Sequence, residues 1–299
     1  MLPDSYSLLP TSYSRSNTLR ILITGSKGML GQDLAPHLAA RHEVLPLGRS
    51  DADITDCRAV TQAIASRGPD VVIHAAAFTA VDDCEQKPDL AFSVNGEGTR
   101  NVALACREAR ARLLYVSTDY VFDGQKDSPY VETDDPNPIN TYGKSKLQGE
   151  NYVRVLQDSW IVRVSWLFGP LGKNFVRTIL GRAREGQNLR VVDDQVGAPT
   201  YTVDASEKIG QILERGAPGI YHVTNQGYCS WFEFAAEILA QAGLGGAPLS
   251  PVSSLAMGRP AARPKNSRLG DTRLAASGMG LLPPWQDALR RYLLRESHA

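Results

Sequence analysis

The sequence predicts an α/β protein with a doubly wound parallel sheet and a smaller C-terminal domain. Between Leu19 and Trp166, short runs rich in β-branched residues alternate with stretches of helical periodicity. A glycine-rich turn separates the first such run from the first helical stretch. Buried strands that alternate with helices form right-handed βαβ units, so the sheet should be mostly parallel and covered by helices on both faces.

The first half of the chain predicts strands and helices in strict alternation. The expected strands are LRILITG, HEVLPLG, DVVIHAAA, RLLYVS and WIVRVSW. The expected helices are MLGQDLAPHLAAR and residues 57–67, 89–109 and 141–157. Most of these strands are nearly continuous apolar runs, which is typical of strands buried on both faces of a parallel sheet.

The pattern loosens after Trp166, in a region rich in Gly and Pro. Short strands are expected in LRVVDDQVGAPT and GIYHVTNQG, and the basic segment GRPAARPKNSRLG should be extended. Helices are expected near residues 173–185, 202–214 and 230–243, and two more near the C-terminus. We therefore predict a core domain over residues 18–165, with later strands returning to it from about 199–222, and a second domain over 166–299.

Composition and charge exclude several classes of protein. Lys+Arg and Asp+Glu both number 32, so no excess of positive charge favours nucleic acid or an anionic membrane. No run approaches the roughly 18 apolar residues of a membrane span. The four cysteines show no metal-ligand spacing and predict free thiols in a reducing cytoplasm. Residues 1–17 contain five serines and no sustained apolar run, which predicts a flexible extension.

The turn TGSKGMLG predicts a Rossmann-type dinucleotide site. Gly25, Gly28 and Gly31 follow the first strand at intervals of three and open the first helix. Glycines in such a turn allow a tight bend, close approach of the backbone to a pyrophosphate, and close packing of helix on strand. The helix N-terminus offers free N–H groups to the phosphates, so Met29 and Leu30 are included among the cofactor-binding residues. A turn without a ligand is the alternative.

The residue that follows the second strand indicates which cofactor is preferred. An acid there would bind the ribose 2′-hydroxyl of NAD. The segment LGRSDADITD has Gly48 near that position, followed by Arg49 and Ser50. A guanidinium and a hydroxyl suit a 2′-phosphate, so we predict a preference for NADPH, with NADH also usable. The alternative for Arg49 is an exposed loop cation.

A hydroxyl, a tyrosine and a lysine are predicted to meet at one site beside the cofactor. Ser117 and Thr118 end the fourth strand, and ligands of open parallel sheets bind beyond the carboxyl ends of the strands. Tyr142 and Lys146 lie four residues apart, on one face of the following helix. The ammonium should lower the pKa of Tyr142 towards neutrality and so make it a useful proton donor. By itself the pair is also compatible with an exposed helix face.

These motifs resemble the extended short-chain dehydrogenase/reductase superfamily and, within it, the dTDP-4-dehydrorhamnose reductases. The resemblance covers nearly everything from residue 19 onward. It rests on TGSKGMLG, DADITD, HAAAFTAVDDCE, VNGEGTRNVA, VSTDYVFDG, NTYGKSKLQGE, RVSWLFG, DDQVGAPT and RPKNSRL. It implies NADPH-dependent reduction of the C4 ketone of dTDP-4-dehydro-L-rhamnose to dTDP-L-rhamnose.

The resemblance also implies individual roles. Tyr142 would be the general acid, Lys146 would hold the nicotinamide ribose, and Thr118 would donate to the C4 carbonyl. Asn95 matches a structural asparagine of the superfamily. Further implied contacts are Asp53 and Ile54 at the adenine, Ala75, Ala76 and Ala77 along the cofactor, and Thr79, Val81, Asp119, Tyr120 and Trp166 around the sugar. Arg263, in the basic segment, is our own prediction for a diphosphate contact, because arginine can bind phosphate bidentately.

Three alternatives remain beside this interpretation. A dehydratase or epimerase of the same fold is disfavoured, since the family's dehydratases carry Asp-Glu after the threonine and Tyr120 stands in place of that Glu. A regulatory subunit resembling the methionine adenosyltransferase β subunit would bind cofactor without turnover. A talose-forming 4-ketoreductase would use the same catalytic residues.

The sequence also bears on metal binding and oligomeric state. Some members of the resembled family dimerise through carboxylate-bound magnesium, and Asp33 is a candidate for one such position. The C-terminal segment RRYLLRESHA is basic where an acid would be expected. We therefore predict no metal and a monomer or weak homodimer.

Overall fold

The computed structural model describes residues 18–296, so the extension expected over residues 1–17 lies outside the described residues. The strands are β1 (Arg20–Thr24), β2 (Glu43–Leu47), β3 (Val71–His74), β4 (Arg112–Thr118), β5 (Ser159–Val164), β6 (Leu167–Phe168), β7 (Leu189–Val192), β8 (Val196–Gly197), β9 (Thr200–Tyr201), β10 (Gly219–His222), β11 (Cys229–Ser230) and β12 (Leu249–Val252). The helices are α1 (Met29–Ala39), α2 (Cys57–Arg67), α3 (Val81–Gln86), α4 (Pro88–Ala91), α5 (Gly98–Ala109), α6 (Thr141–Arg154), α7 (Phe175–Arg184), α8 (Thr202–Arg215), α9 (Trp231–Gln241), α10 (Thr272–Ala276) and α11 (Trp285–Glu296). The predicted α/β fold class is confirmed.

A six-stranded parallel sheet in the order β2–β1–β3–β4–β5–β10 forms the centre of the molecule. Successive side chains of a strand point to opposite faces, so Ile21 and Ile23 pack with α1 and α8 while Leu22 packs with α2 and α5. Both faces of β1 are therefore buried, which accounts for its apolar sequence. The order reverses at β1, so the crevice between the carboxyl ends of β1 and β3 is the expected ligand site.

The prediction of one continuous helix over residues 89–109 was wrong. The chain forms α4, then a π-helical segment Phe92–Glu97, then α5. Asn95 in the π segment is buried; its Oδ1 accepts from Phe78 N at 2.8 Å, and its Nδ2 donates to Phe78 O and Ser145 Oγ, each at 3.0 Å. These bonds tie the loop after β3 to α6, and such π-bulges are frequent at functional sites.

The chain after β5 builds a second layer beside the sheet. The stretch LRVVDDQVGAPT contains β7, β8 and the first residue of β9, and these strands pair with β12, β11 and β6 outside the main sheet. Of the later strands, β10 joins the main sheet by pairing with β5. An aromatic-rich core that includes Phe168, Phe234 and Tyr292 holds α7, α9 and α11 together. Within residues 18–296, no helix is both long and apolar enough to cross a membrane.

Candidate active site

A cavity of about 380 Å3 opens at the carboxyl ends of β1, β2 and β3. Among the residues predicted to bind the cofactor, those that line it are Gly25, Gly28, Arg49, Asp53, Ile54, Ala75, Ala76 and Ala77. Met29, Leu30, Gly31, Ser50, Tyr142 and Lys146 are not part of its lining, and Leu30 packs into the apolar core instead. The cavity is therefore built mainly by the three loops that follow these strands.

The glycine turn fits a pyrophosphate. Gly25 has φ +68°, and a Cβ there would lie only 2.6 Å from Ala76 N, so a side chain is excluded on both grounds. Gly28 is the N-cap of α1, and no side chain caps this end. The first-turn N–H groups of α1 are thus available to an anion, and the first turn carries no acidic residue to repel it.

The predicted 2′-phosphate position carries two cations rather than one. Arg49 is exposed, and its Nε donates to Asp53 Oδ2 at 3.1 Å. Lys27, which sequence reasoning missed, lines the same cavity and places Nζ 3.4 Å from Ser50 Oγ. A lysine inside the quoted glycine turn was the signal that could have revealed it. Other lining residues that sequence reasoning missed are Thr24, Leu47, Ala52, Phe78, Leu90 and Val94.

Helix α6 begins directly against the turn that follows β4, which brings Tyr142 to Thr118. Asn140 caps the helix by accepting from Gly143 N at 2.8 Å. A Cβ on Gly143 would collide with the carbonyl oxygen of Tyr120, so only glycine permits this approach. The Tyr142 ring meets the Tyr120 ring edge-on, with centroids 5.8 Å apart.

The prediction that Lys146 lowers the pKa of Tyr142 was wrong. Burial raises the pKa of Tyr142, and the neighbouring Thr118 hydroxyl opposes that rise. The buried Lys146 turns towards β4, donates from Nζ to Val116 O at 2.7 Å, and lies 4.1 Å from the centre of the Tyr115 ring. Burial lowers the pKa of Lys146 itself to about 7, against the opposing effect of Glu150. Helical spacing put both residues on one face, but packing decided where the ammonium points.

A buried ion pair anchors α6 to the sheet one turn beyond Lys146. Arg163 on β5 donates from Nε to Glu150 Oε1 at 2.9 Å and from Nη2 to Oε2 at 2.8 Å, and both side chains are fully buried. Glu150 also accepts from Ser117 Oγ at 2.7 Å and from Arg154 at 2.9 Å. These bonds hold the pKa of Glu150 below its ordinary value despite burial. Sequence reasoning missed this pair.

The predicted sugar-binding residues lie on the segments that follow β3, β4 and β5. Thr79 is exposed in the loop after β3, and Val81 begins α3. Trp166, two residues beyond β5, adopts φ +45° and stacks on Trp231 with centroids 3.5 Å apart. Asp119 is buried, and its Oδ1 accepts from Thr118 Oγ1 at 2.9 Å.

Arg263 does not present a free guanidinium for a diphosphate. Its Nη1 and Nη2 each donate to the Asp82 carboxylate at 2.8 Å. It borders a second cavity of about 470 Å3 that also contains Arg259 and Lys265, neither of which forms a described ion pair. The pairing with Asp82 disfavours our prediction for Arg263, because the phosphate-binding groups of an arginine are already occupied.

The chain was also compared with known proteins. The family model of the RmlD substrate binding domain matches residues 19–297. The chain belongs to the RmlD substrate binding domain family. A dTDP-4-dehydrorhamnose reductase of Streptomyces griseus is 44% identical over 90% of this chain and 91% of its own. The spore coat polysaccharide biosynthesis protein SpsK of Bacillus subtilis is 42% identical over 94% of this chain and 99% of its own.

A solved structure shows the same architecture. The dTDP-4-dehydrorhamnose reductase of Bacillus anthracis, crystallised in complex with NADP, superposes with a TM-score of 0.90. It is 40% identical to this chain, and the match covers 93% of this chain and 99% of that one. This member of the RmlD substrate binding domain family therefore shares its fold with an NADP-bound dTDP-4-dehydrorhamnose reductase.

The carboxylate of Asp33, the candidate metal ligand, is hydrogen-bonded to another residue of the chain. Asp33 is buried on α1, and its Oδ2 accepts from Thr202 Oγ1 on α8. Burial raises the pKa of Asp33, while Thr202 and Arg295 oppose that effect. In the described part of the chain, no group of three or more His, Cys, Asp or Glu side chains is arranged to hold a metal ion.

Proposed function

We propose that this chain catalyses the NADPH-dependent reduction of the C4 ketone of dTDP-4-dehydro-L-rhamnose to dTDP-L-rhamnose. The observation that carries the proposal is the approach of Thr118 and Tyr142 at the carboxyl edge of the sheet. A cavity of about 380 Å3, lined by the glycine turn and by Arg49, Asp53 and Ile54, opens along the same edge. Relatives at 40–44% identity are named for this reaction, which supports the reductase and gives no support to the regulatory-subunit alternative.

The acid–base groups suit reduction. NADPH, when bound, supplies hydride from its nicotinamide ring. Tyr142 is protonated at neutral pH, so it can give its proton to the carbonyl oxygen as negative charge develops there. Its raised pKa makes the phenol a weaker acid than an ordinary tyrosine, so the transfer depends on the charge that develops on that oxygen. Thr118 is placed to donate a hydrogen bond to the same oxygen. The loss of the proton from Tyr142 completes the new hydroxyl group.

The cofactor site has the features that NADPH requires. We assign the pyrophosphate to the α1 N-terminus at Gly28, the adenine side to Asp53 and Ile54, and the 2′-phosphate to Arg49 and Lys27. We assign Lys146 to the nicotinamide ribose, as the resemblance implies. The partly buried wall of Ala75, Ala76 and Ala77 leaves room for a flat ring because its side chains are small.

Incubation of the purified protein with NADPH and dTDP-4-dehydro-L-rhamnose tests the function. We expect NADPH oxidation only when the keto-sugar is present. NMR of the sugar product should show the rhamno configuration at C4, whereas the talose-forming alternative would give the opposite configuration. Cofactor binding with no turnover of the keto-sugar would contradict the proposal and favour a regulatory subunit.

Thr118→Val is expected to lower kcat by about 10-fold to 10³-fold, because one of the two donors to the oxyanion is removed while Tyr142 remains. The γ-methyl group preserves the volume of the side chain. The measurement is kcat together with the dissociation constant for NADPH, which should not change. Loss of NADPH binding would contradict the assignment of Thr118 to the reacting carbonyl.

Arg49→Ala and Lys27→Ala are each expected to lower kcat/KM for NADPH by about 10-fold and to leave the value for NADH nearly unchanged. A charge-assisted hydrogen bond contributes about 1.5–3 kcal/mol, and solvent exposure of Arg49 favours the lower end. The measurement is kcat/KM for both cofactors in the parent and the variants. An equal loss with NADH would show that these residues support the fold or the adenine instead.

Gly48→Asp is the complementary change and should move the preference towards NADH. The new carboxylate would offer an acceptor to the ribose 2′-hydroxyl and repel a 2′-phosphate. Its Cβ would lie 3.2 Å from Lys27 Cε, so the flexible Lys27 side chain must move aside.

We also propose that the enzyme works in the cytoplasm, as a monomer or weak homodimer. All four cysteines, Cys57, Cys84, Cys106 and Cys229, are free thiols, which suits a reducing compartment.

A further inference from the structure

The carboxyl group of Asp119 lies directly behind Thr118, in a position that the reaction described above does not use. It belongs to the short 3-10 turn Asp119–Val121, and only 3% of the residue is exposed. Its Oδ1 accepts from Thr118 Oγ1 at 2.9 Å. Its Oδ2 is buried and has no hydrogen-bond partner among residues 18–296. A bare, buried carboxylate oxygen is unfavourable, so this environment favours the protonated acid.

The groups that face Asp119 do not supply a compensating positive charge. Burial raises its pKa to about 7, although the hydroxyls of Ser267 and Thr118 and nearby backbone groups favour ionisation. Two phenols that feel its charge, Tyr120 on the same turn and Tyr142 on α6, have raised pKa values themselves. Arg263 lies against Tyr120, and its guanidinium is paired with the Asp82 carboxylate.

The Thr118 hydroxyl can serve only one acceptor, because it carries one proton and two lone pairs. One lone pair already accepts from Tyr120 N at 3.2 Å. When Asp119 is ionised, the proton of Thr118 is held by Asp119 Oδ1 and cannot reach a substrate oxygen. When Asp119 is protonated, its O–H can donate to the second lone pair, which releases the Thr118 proton from Asp119. That proton can then point into the site, where the Tyr142 hydroxyl and a substrate oxygen are its acceptors.

We propose that Asp119 is a positioning residue whose protonated carboxyl group donates to Thr118 Oγ1 and turns the Thr118 proton towards the substrate carbonyl. No proton is transferred to or from Asp119 in this scheme; only the direction of one hydrogen bond changes. The inference rests on the proposed function, because it assigns Asp119 an effect on the carbonyl donor. It differs from the sugar contact that the resemblance implied for Asp119, because the effect passes through Thr118.

The expected consequence is an alkaline loss of the hydride-transfer rate. Ionisation of Asp119 removes one of the two oxyanion donors, so the single-turnover rate should fall by about 10-fold or more as the pH rises through about 7. Asp119→Asn replaces the acid with an amide that is neutral at every pH and can donate from Nδ2. Its rate should therefore change by less than about 3-fold over the same pH range.

Three measurements test the proposal. The first is the single-turnover pH profile of the parent and of Asp119→Asn with NADPH and the keto-sugar. The second repeats both in a Thr118→Val background, where Asp119→Asn should leave the pH profile unaltered because its target hydroxyl is gone. The third is a 13C NMR titration of the aspartate carboxyl carbons in the parent, in which the signal absent from Asp119→Asn should titrate near pH 7.

The outcomes separate this inference from the proposed function. A flat profile in Asp119→Asn with a titration midpoint near 7 supports the inference. An alkaline loss that persists in Asp119→Asn would belong to another group, with Lys146 the first candidate at a pKa of about 7, and would overturn it. A midpoint below about 5, close to an ordinary aspartate, would overturn it without any kinetic measurement. A parent that turned over no keto-sugar would overturn the proposed function, and this inference with it.

Discussion

Tyr142→Phe is expected to lower kcat at least 10²-fold while leaving the dissociation constant for NADPH within about threefold of the parent value. General acid catalysis is typically worth about 10²–10⁴, and the substitution removes the acid alone. The phenyl ring keeps the edge-on contact with Tyr120, so the packing at the start of α6 should persist. The measurements are kcat with the keto-sugar and direct titration of NADPH binding.

The matched control for this prediction is Tyr152→Phe on the same helix. The hydroxyl of Tyr152 donates to Glu97 Oε1 at 2.9 Å and accepts from Gln148 Nε2 at 3.2 Å. It therefore bonds to groups outside the catalytic set, and its removal should leave kcat within about twofold of the parent. A Tyr142→Phe enzyme with kcat within about threefold of the parent would remove Tyr142 from the mechanism.

Arg163→Met is expected to lower the free energy of unfolding by about 3–5 kcal/mol, because it leaves the buried Glu150 carboxylate without its main partner. The guanidinium makes two hydrogen bonds to Glu150 and lies 4.9 Å from the centre of the Phe122 ring. Since burial raises the pKa of Glu150 and Arg163 is the largest opposing influence, Glu150 should take up a proton more readily in the variant. The loss should therefore be larger at pH 8 than at pH 5, as measured by urea unfolding.

Two controls establish that burial causes this loss. Arg20→Met removes a pair with Glu43 at 2.9 Å in which both side chains are about half exposed, and it should lower stability by less than about 1 kcal/mol. The double variant Arg163→Met with Glu150→Met should recover part of the stability, because it leaves no uncompensated charge. A loss below about 1 kcal/mol in Arg163→Met would mean that water or other groups already solvate Glu150.

Features that depend on residues close together in the sequence could be predicted from it. Strands β1, β3, β4 and β5 were recognisable because both faces of each are buried, which makes their sequences apolar. The edge strand β2 is largely exposed or half-buried. The glycine turn was recognisable because its backbone conformation at Gly25 excludes other residues. Thr118 and Tyr142 could be assigned to one site because parallel strands bring their carboxyl ends to the same edge.

Features that depend on contacts across the chain could not be predicted in this way. The π segment exists where Asn95 bonds to Phe78 and Ser145, and helical periodicity carries no trace of those bonds. Arg263 was predicted to bind phosphate, but Asp82, far away in the sequence, occupies its guanidinium. The pair Arg163–Glu150 joins a strand to a helix and appears in no local motif.

The electrostatics of the site shows most clearly the difference between what the sequence determines and what tertiary contacts determine. The sequence by itself determined which polar groups share the site, since their positions on α6 and at the end of β4 place Tyr142, Lys146, Thr118 and Asp119 at one edge of the sheet. Tertiary structure alone decided the protonation tendency of each group. Burial raises the pKa of Tyr142 and Asp119 and lowers that of Lys146, because desolvation disfavours whichever form is charged. Desolvation depends on every element packed around a group, and that packing exists only in the folded chain.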